Sequence, residues 1–80
     1  YEFAVAELGA ATLEVQALAD ALPAAESAAR LSGQGYDAGR LSLLERLSAE
    51  RALFDAREQL EGARLAAHRA RADLASLSQP

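Results

Sequence analysis

The chain contains no cysteine. Disulfides and thiolate metal sites are therefore excluded, and the absence says nothing about redox compartment. Its one histidine, His68, builds no metal site alone and reads as a solvated or interface residue of a helix. Aromatics make up 5% of the residues, and lysine is missing altogether, so that all eight basic residues are arginine. These are interspersed with 12 acids, which leave a net charge of -4. No basic block exists to track a phosphate backbone, which argues against a nucleic-acid partner. No apolar run approaches the roughly 18 residues that a membrane-crossing helix needs, so no membrane span is expected. The opening Tyr1-Glu2-Phe3 is neither a start methionine nor the basic beginning of a signal peptide. It reads as a piece of a longer parent.

What the chain has in quantity is alanine and leucine, the signature of long helices or coiled coil. Its 80 residues allow one domain. A core of that size supplies little net stability by itself. The helical pattern breaks once, over Ser32-Gly33-Gln34-Gly35-Tyr36-Asp37-Ala38-Gly39-Arg40, which holds three of the five glycines. Each glycine costs a helix about 1 kcal/mol relative to alanine, so the first helix is expected to weaken from Gly33 onward. Gly39 is the best candidate for a left-handed residue ending it. Ser42-Leu43-Leu44-Glu45 then fits a capping box, in which the serine hydroxyl accepts from the Glu45 amide and the carboxylate reaches back to the Ser42 amide. The expected fold is all-α: a long antiparallel two-helix coiled-coil hairpin over residues 1–80. Helix 1 covers about 2–37, the tip about 38–41 and helix 2 about 42–78, with Ser78-Gln79-Pro80 as a fitting end.

Pro23 either breaks or kinks helix 1, since it removes a hydrogen bond and crowds the preceding turn. The apolar register runs through it, which favours a kink. Gly9 and Gly62 either permit close helix approach or are tolerated defects.

A 3-4 spacing organises both halves. Tyr1, Ala4, Leu8, Ala11, Val15, Leu18, Leu22, Ala25, Ala29, Ser32 and Tyr36 form one stripe. Ala49, Leu53, Ala56, Leu60, Ala63, Ala67, Ala70, Leu74 and Leu77 form the other. Both are heptad seams of the kind that pair helices. In a hairpin folded at Gly39, facing residues lie equally far from it along the chain. Leu8 then faces Ala70, Val15 faces Ala63, Leu18 faces Leu60, Leu22 faces Ala56 and Ala25 faces Leu53. Large residues mostly meet small ones, which allows close interlocking. At 1.5 Å per residue the hairpin is on the order of 50 Å long.

An alanine-rich seam buries little area. Off it lie Leu13, Ala17, Ala21, Ala24, Ala28 and Leu31 on helix 1, and Leu44, Leu47, Phe54 and Leu65 on helix 2. These either widen an ordinary stripe or form a second face that packs on neighbouring helices. The second reading is preferred, because a two-helix hairpin offers nothing else to cover them, and it implies self-association. The charged residues, among them Asp55, Glu58 and Glu61 beside Arg51, Arg57 and Arg64, read as solvated i,i+3 and i,i+4 networks. There is no nucleophile with a base, no phosphate loop and no metal-ligand cluster. No catalytic residue, metal site or cofactor is assigned, and the chain is not read as an enzyme.

The stretch from Gly35-Tyr36-Asp37-Ala38-Gly39-Arg40 through Leu41-Ser42-Leu43-Leu44-Glu45-Arg46-Leu47-Ser48-Ala49-Glu50-Arg51 resembles a signature of the TolC family of outer-membrane efflux proteins. That pattern is roughly Tyr-x-x-Gly, a short polar step, a Leu-rich turn, an Ala, and Gln or Glu followed by Arg. Leu53-Phe54-Asp55-Ala56-Arg57-Glu58-Gln59-Leu60 and Leu22-Pro23-Ala24-Ala25 are similar to the family too, with the heavy-metal cation branch nearest. The resemblance covers about Leu18 to Leu77. It implies a periplasmic hairpin, one of two in each protomer, with three protomers closing a tunnel whose mouth meets a membrane-fusion adaptor tip to tip. Tyr36 and Gly39 map onto the tip motif, Ala38, Gly39 and Arg40 onto the step expected to touch the adaptor, and Leu41 and Ser42 flank it. Glu50 departs from the common Gln, and the β-barrel strands, the first repeat and any lipidation site are absent from this stretch.

Physical reading of the same residues is compatible. Gly39 exposes backbone at a turn, Tyr36 offers an amphipathic contact surface, and Asp37, Arg40 and Glu45 can orient a partner by charge. Against this stands the reading that they only make a turn, which is certainly part of the answer for Gly39 and Ser42. Two alternatives remain. One is the coiled-coil hairpin of the adaptor itself, whose Arg, Leu and Ser are echoed by Arg40, Leu41 and Ser42 without the spacing. The other is a generic structural coiled coil.

Overall fold

Alanine, leucine, glutamate and arginine are among the strongest helix formers, and they fill both halves of the chain. The computed structural model describes residues 1–77. Two helices account for nearly all of them: α1, Glu2–Asp37, and α2, Leu43–Leu77. They lie side by side as an antiparallel hairpin measuring 64 × 14 × 13 Å. A 36-residue helix accounts for about 54 Å of the long axis. The expected stop at Ser78, Gln79 and Pro80 lies outside the described residues.

α1 runs unbroken through Pro23. The proline cannot donate to Ala19, yet packing along the continuous seam holds the helix on both sides of it. α1 continues through Gly33 and Gly35 to Asp37, and the second of these glycines is itself a packing position, as described below. Gly9 and Gly62 are exposed, and a Cβ at either would meet nothing within 4 Å. They are therefore not points of close helix approach.

Burial follows the two heptad stripes. From Ala4 to Ser32 every stripe residue of α1 is half-buried, and from Ala49 to Leu74 every stripe residue of α2 is half-buried or buried. Leu60, Ala63, Ala67 and Ala70 are the enclosed ones, with Leu60 only 2% exposed. At the open end of the hairpin the stripe residues Tyr1 and Leu77 are exposed, at 72% and 60%. Every off-seam apolar residue named above is exposed.

Among the described residues one ion pair joins the helices. Arg57 Nη2 lies 3.7 Å from Glu26 Oε2, each residue following directly on a seam alanine, Ala25 or Ala56. This is the flank where coiled coils set interhelical ion pairs. Arg57 thus leaves the local network on α2, where Arg51 pairs with Asp55 and Arg64 with Glu61. All these pairs are solvent-exposed, so each contributes at most about 0.5 kcal/mol. Stability rests on the seam.

Candidate functional site

The tip is built from the last turn of α1. Asp37 is its final helical residue, and Ala38 caps it with φ -83° and ψ 0°. Gly39 follows in the left-handed region with φ 74°, a conformation that costs nothing without a Cβ. The Gly39 amide donates to the Tyr36 carbonyl at 3.0 Å, and the Arg40 amide to the Gly35 carbonyl at 2.8 Å. These two bonds form a Schellman motif, which satisfies carbonyls that the helix end would leave open. The Leu41 amide adds a second donor to the Gly35 carbonyl at 3.1 Å. The chain has then reversed, and Ser42 starts α2 by accepting from the Glu45 amide on its hydroxyl at 3.1 Å. Only this forward half of the capping box forms. Among the described residues no bond returns from the Ser42 amide to the Glu45 carboxylate.

Gly35 is the one buried residue of α1. A Cβ there would stand 2.7 Å from Leu41 Cδ1 and 2.8 Å from Cγ. Leu41 therefore folds inward onto bare backbone, one residue beyond Arg40, the position from which an apolar contact commonly closes this helix ending.

On the outer side, Tyr36, Asp37, Ala38, Gly39 and Arg40 are all exposed. The guanidinium of Arg46 lies over the Tyr36 ring, 5.1 Å from its centroid, and is held from behind by Glu50 at 3.0 Å. This chain of contacts ties the aromatic ring of α1 to the first turns of α2. It fixes the ring's position while leaving its outer face accessible.

The seven residues assigned to the tip thus divide. Tyr36, Asp37, Ala38, Gly39 and Arg40 form a contiguous surface, while Leu41 packs against Gly35 and the Ser42 hydroxyl caps α2. Two contributors escaped the sequence reading. Gly35 was signalled by its place four residues before the left-handed Gly39, where this helix ending places its apolar contact. Arg46 was signalled by the α2 stripe, which continues back from Ala49 by one step of three onto it, facing Ser32, one stripe step from Tyr36. Among the described residues no cavity opens and no three His, Cys, Asp or Glu side chains gather as a metal site. Among the same residues no helix is long and apolar enough to cross a membrane.

What these elements define is an antiparallel helical hairpin with a capped tip. In comparison with known proteins, the chain matches no protein-family model, no curated protein and no solved structure.

Proposed function

We propose that this hairpin is a periplasmic tunnel-wall element of an outer-membrane efflux channel of the TolC kind, its tip docking a membrane-fusion adaptor in a tripartite export pump. The observation that carries the reading is the tip. Tyr36 and Gly39, the two fixed letters of the Tyr-x-x-Gly signature, are held by distinct devices: a cation–π contact for one, a left-handed helix ending for the other. The exposed surface between them is small and polar at Asp37 and Arg40, which suits end-on contact with another helical tip. The exposed apolar faces support a wall setting, since a lone hairpin leaves them uncovered. On this reading the chain is non-enzymatic, uses no cofactor, and belongs to a trimeric parent in the heavy-metal cation branch. The converse assignment, the adaptor's own hairpin, is weaker because Leu41 and Ser42 are engaged within the turn.

The chain has no native cysteine, so a single introduced thiol reports contacts cleanly. In the full-length parent, Arg40→Cys carrying a short bifunctional crosslinker is expected to capture the adaptor, while Arg69→Cys, exposed and about 39 Å along α2 from its start at Leu43, captures none. Equal capture at both positions, or capture at neither, sinks the docking role.

A further inference from the structure

A hairpin held by a uniform seam opens first at its free ends. In this one the seam is richest away from the turn. On the open side of Pro23, the stripes carry Leu8, Val15, Leu18 and Leu22 on α1 and Leu60 and Leu74 on α2. The enclosed side chains of the seam, Leu60, Ala63, Ala67 and Ala70, all lie opposite that part of α1. On the tip side the facing pairs are Ala25 with Leu53, Ala29 with Ala49, and Ser32 with Arg46, and every one of these residues is only half-buried. Leu53 is the one large apolar side chain among them, and the last pair is polar. The other large apolar residues of this half lie off the seam: Leu31, Leu43, Leu44, Leu47 and Phe54 are exposed. Among the described residues, the ion pair of Glu26 with Arg57 and the stacking of Arg46 on Tyr36 cross between the helices here. Contacts of that kind near the surface add little.

We propose that the tip side of the hairpin, residues 24–55, is a separate opening unit, whose seam parts and recloses while the open side stays paired. Apolar burial is the main force that holds a seam shut. Segments with few buried apolar contacts open at a lower free energy than the rest of a fold. Pro23 supplies the boundary on α1. It has no amide to donate to Ala19, so the hydrogen-bond ladder that couples one turn to the next is interrupted there. On α2 the boundary is set by Leu60, which is enclosed and level with Leu18. Opening therefore stops where the apolar layers begin. If the tip docks a partner, as proposed above, that partner grips a unit that opens beneath it, and docking holds the unit closed. The opening itself does not depend on that reading.

The test is amide hydrogen exchange resolved to single residues on the 80-residue chain, in dilute solution where copies stay apart. Relative to their unfolded-chain rates, Ala29 and Ala49 are expected to exchange about tenfold or more faster than Ala63 and Ala67. The step along α1 should fall between Leu18 and Ala25. Low concentrations of urea should speed Ala63 and Ala67 markedly and Ala29 and Ala49 little, since the smaller opening exposes less surface. Ala63→Gly should speed exchange at Ala67 about fivefold and leave Ala29 and Ala49 unchanged. Should that variant unfold the chain, Ala63→Ser serves, with a smaller effect. Protection that is equal in the two halves, or greater at Ala29 and Ala49, overturns the proposal. So does a shared response of both halves to urea or to Ala63→Gly. Failure of docking in the parent, with these exchange patterns intact, would overturn the docking role alone.

Discussion

Leu41 occupies the space that a side chain at Gly35 would need: a Cβ there would lie 2.7 Å from Leu41 Cδ1 and 2.8 Å from Cγ. The tip closes because one residue of the last helical turn has nothing to put in the way. The left-handed Gly39 turns the chain, and the bare face of Gly35 receives the leucine that follows.

That relationship gives Gly35 and Gly33 opposite mutational signs, although both are helical. Gly33→Ala meets open space and is expected to raise stability by about 1 kcal/mol, the gain in helix propensity. Gly35→Ala makes the same gain but forces Leu41 out, and overpacking costs about 1–3 kcal/mol. A net loss of about 1 kcal/mol is expected, recovered in the double variant Gly35→Ala, Leu41→Ala. Thermal melts compare the three, and stabilisation by both single changes contradicts the packing at the tip.

Gly39 is constrained by conformation and not by space, since a Cβ there meets nothing within 4 Å while its φ is 74°. Gly39→Ala should cost about 1–2 kcal/mol, and Gly39→Val more, because β-branching aggravates the strain. Helix content should hold in both. In the full-length parent, Gly39→Val and Tyr36→Ala are expected to abolish export. Unchanged resistance to the exported compound counts against the docking role without touching the fold.

The seam is tested at its most enclosed side chain. Leu60→Asp buries an unpaired carboxylate and is expected to unfold the hairpin, and Leu60→Ala to cost about 2–5 kcal/mol. Glu61→Ala, one residue on but exposed, should change stability by less than about 0.5 kcal/mol. Equal effects from Leu60→Asp and Glu61→Ala in chemical denaturation refute the register.

The tie between Tyr36 and Arg46 is weaker and testable by substitution at both ends. Tyr36→Phe keeps the ring and should be nearly neutral, whereas Arg46→Ala should cost about 0.5–1 kcal/mol. A double-mutant cycle between Tyr36→Ala and Arg46→Ala is expected to return a coupling of that size. A coupling of zero removes the proposed anchoring of the ring.

Much of this architecture is legible without coordinates. The stripes from Ala4 to Ser32 and from Ala49 to Leu74 are the residues that become covered, because heptad spacing places a residue on one face whatever the rest of the chain does. Gly39 was legible because only a residue without a Cβ turns there cheaply, and Ser42 because its hydroxyl stands three residues before an amide in need of an acceptor. The end of α1 at Asp37 is where the glycine cluster and Gly39 put it. What propensity alone could not register is that Gly35 receives a folded-back leucine.

The amino-acid sequence alone determined two helices, the faces they bury and the residue about which they turn, since these follow from periodicity and backbone sterics acting over a few residues. Tertiary structure alone decided that Gly35 is buried, that Leu41 points inward while Tyr36 to Arg40 face out, and that Arg57 crosses to Glu26 instead of pairing along its own helix. Those outcomes depend on distances between groups far apart in the chain or on opposite sides of the turn, and such distances exist only once the two helices lie together.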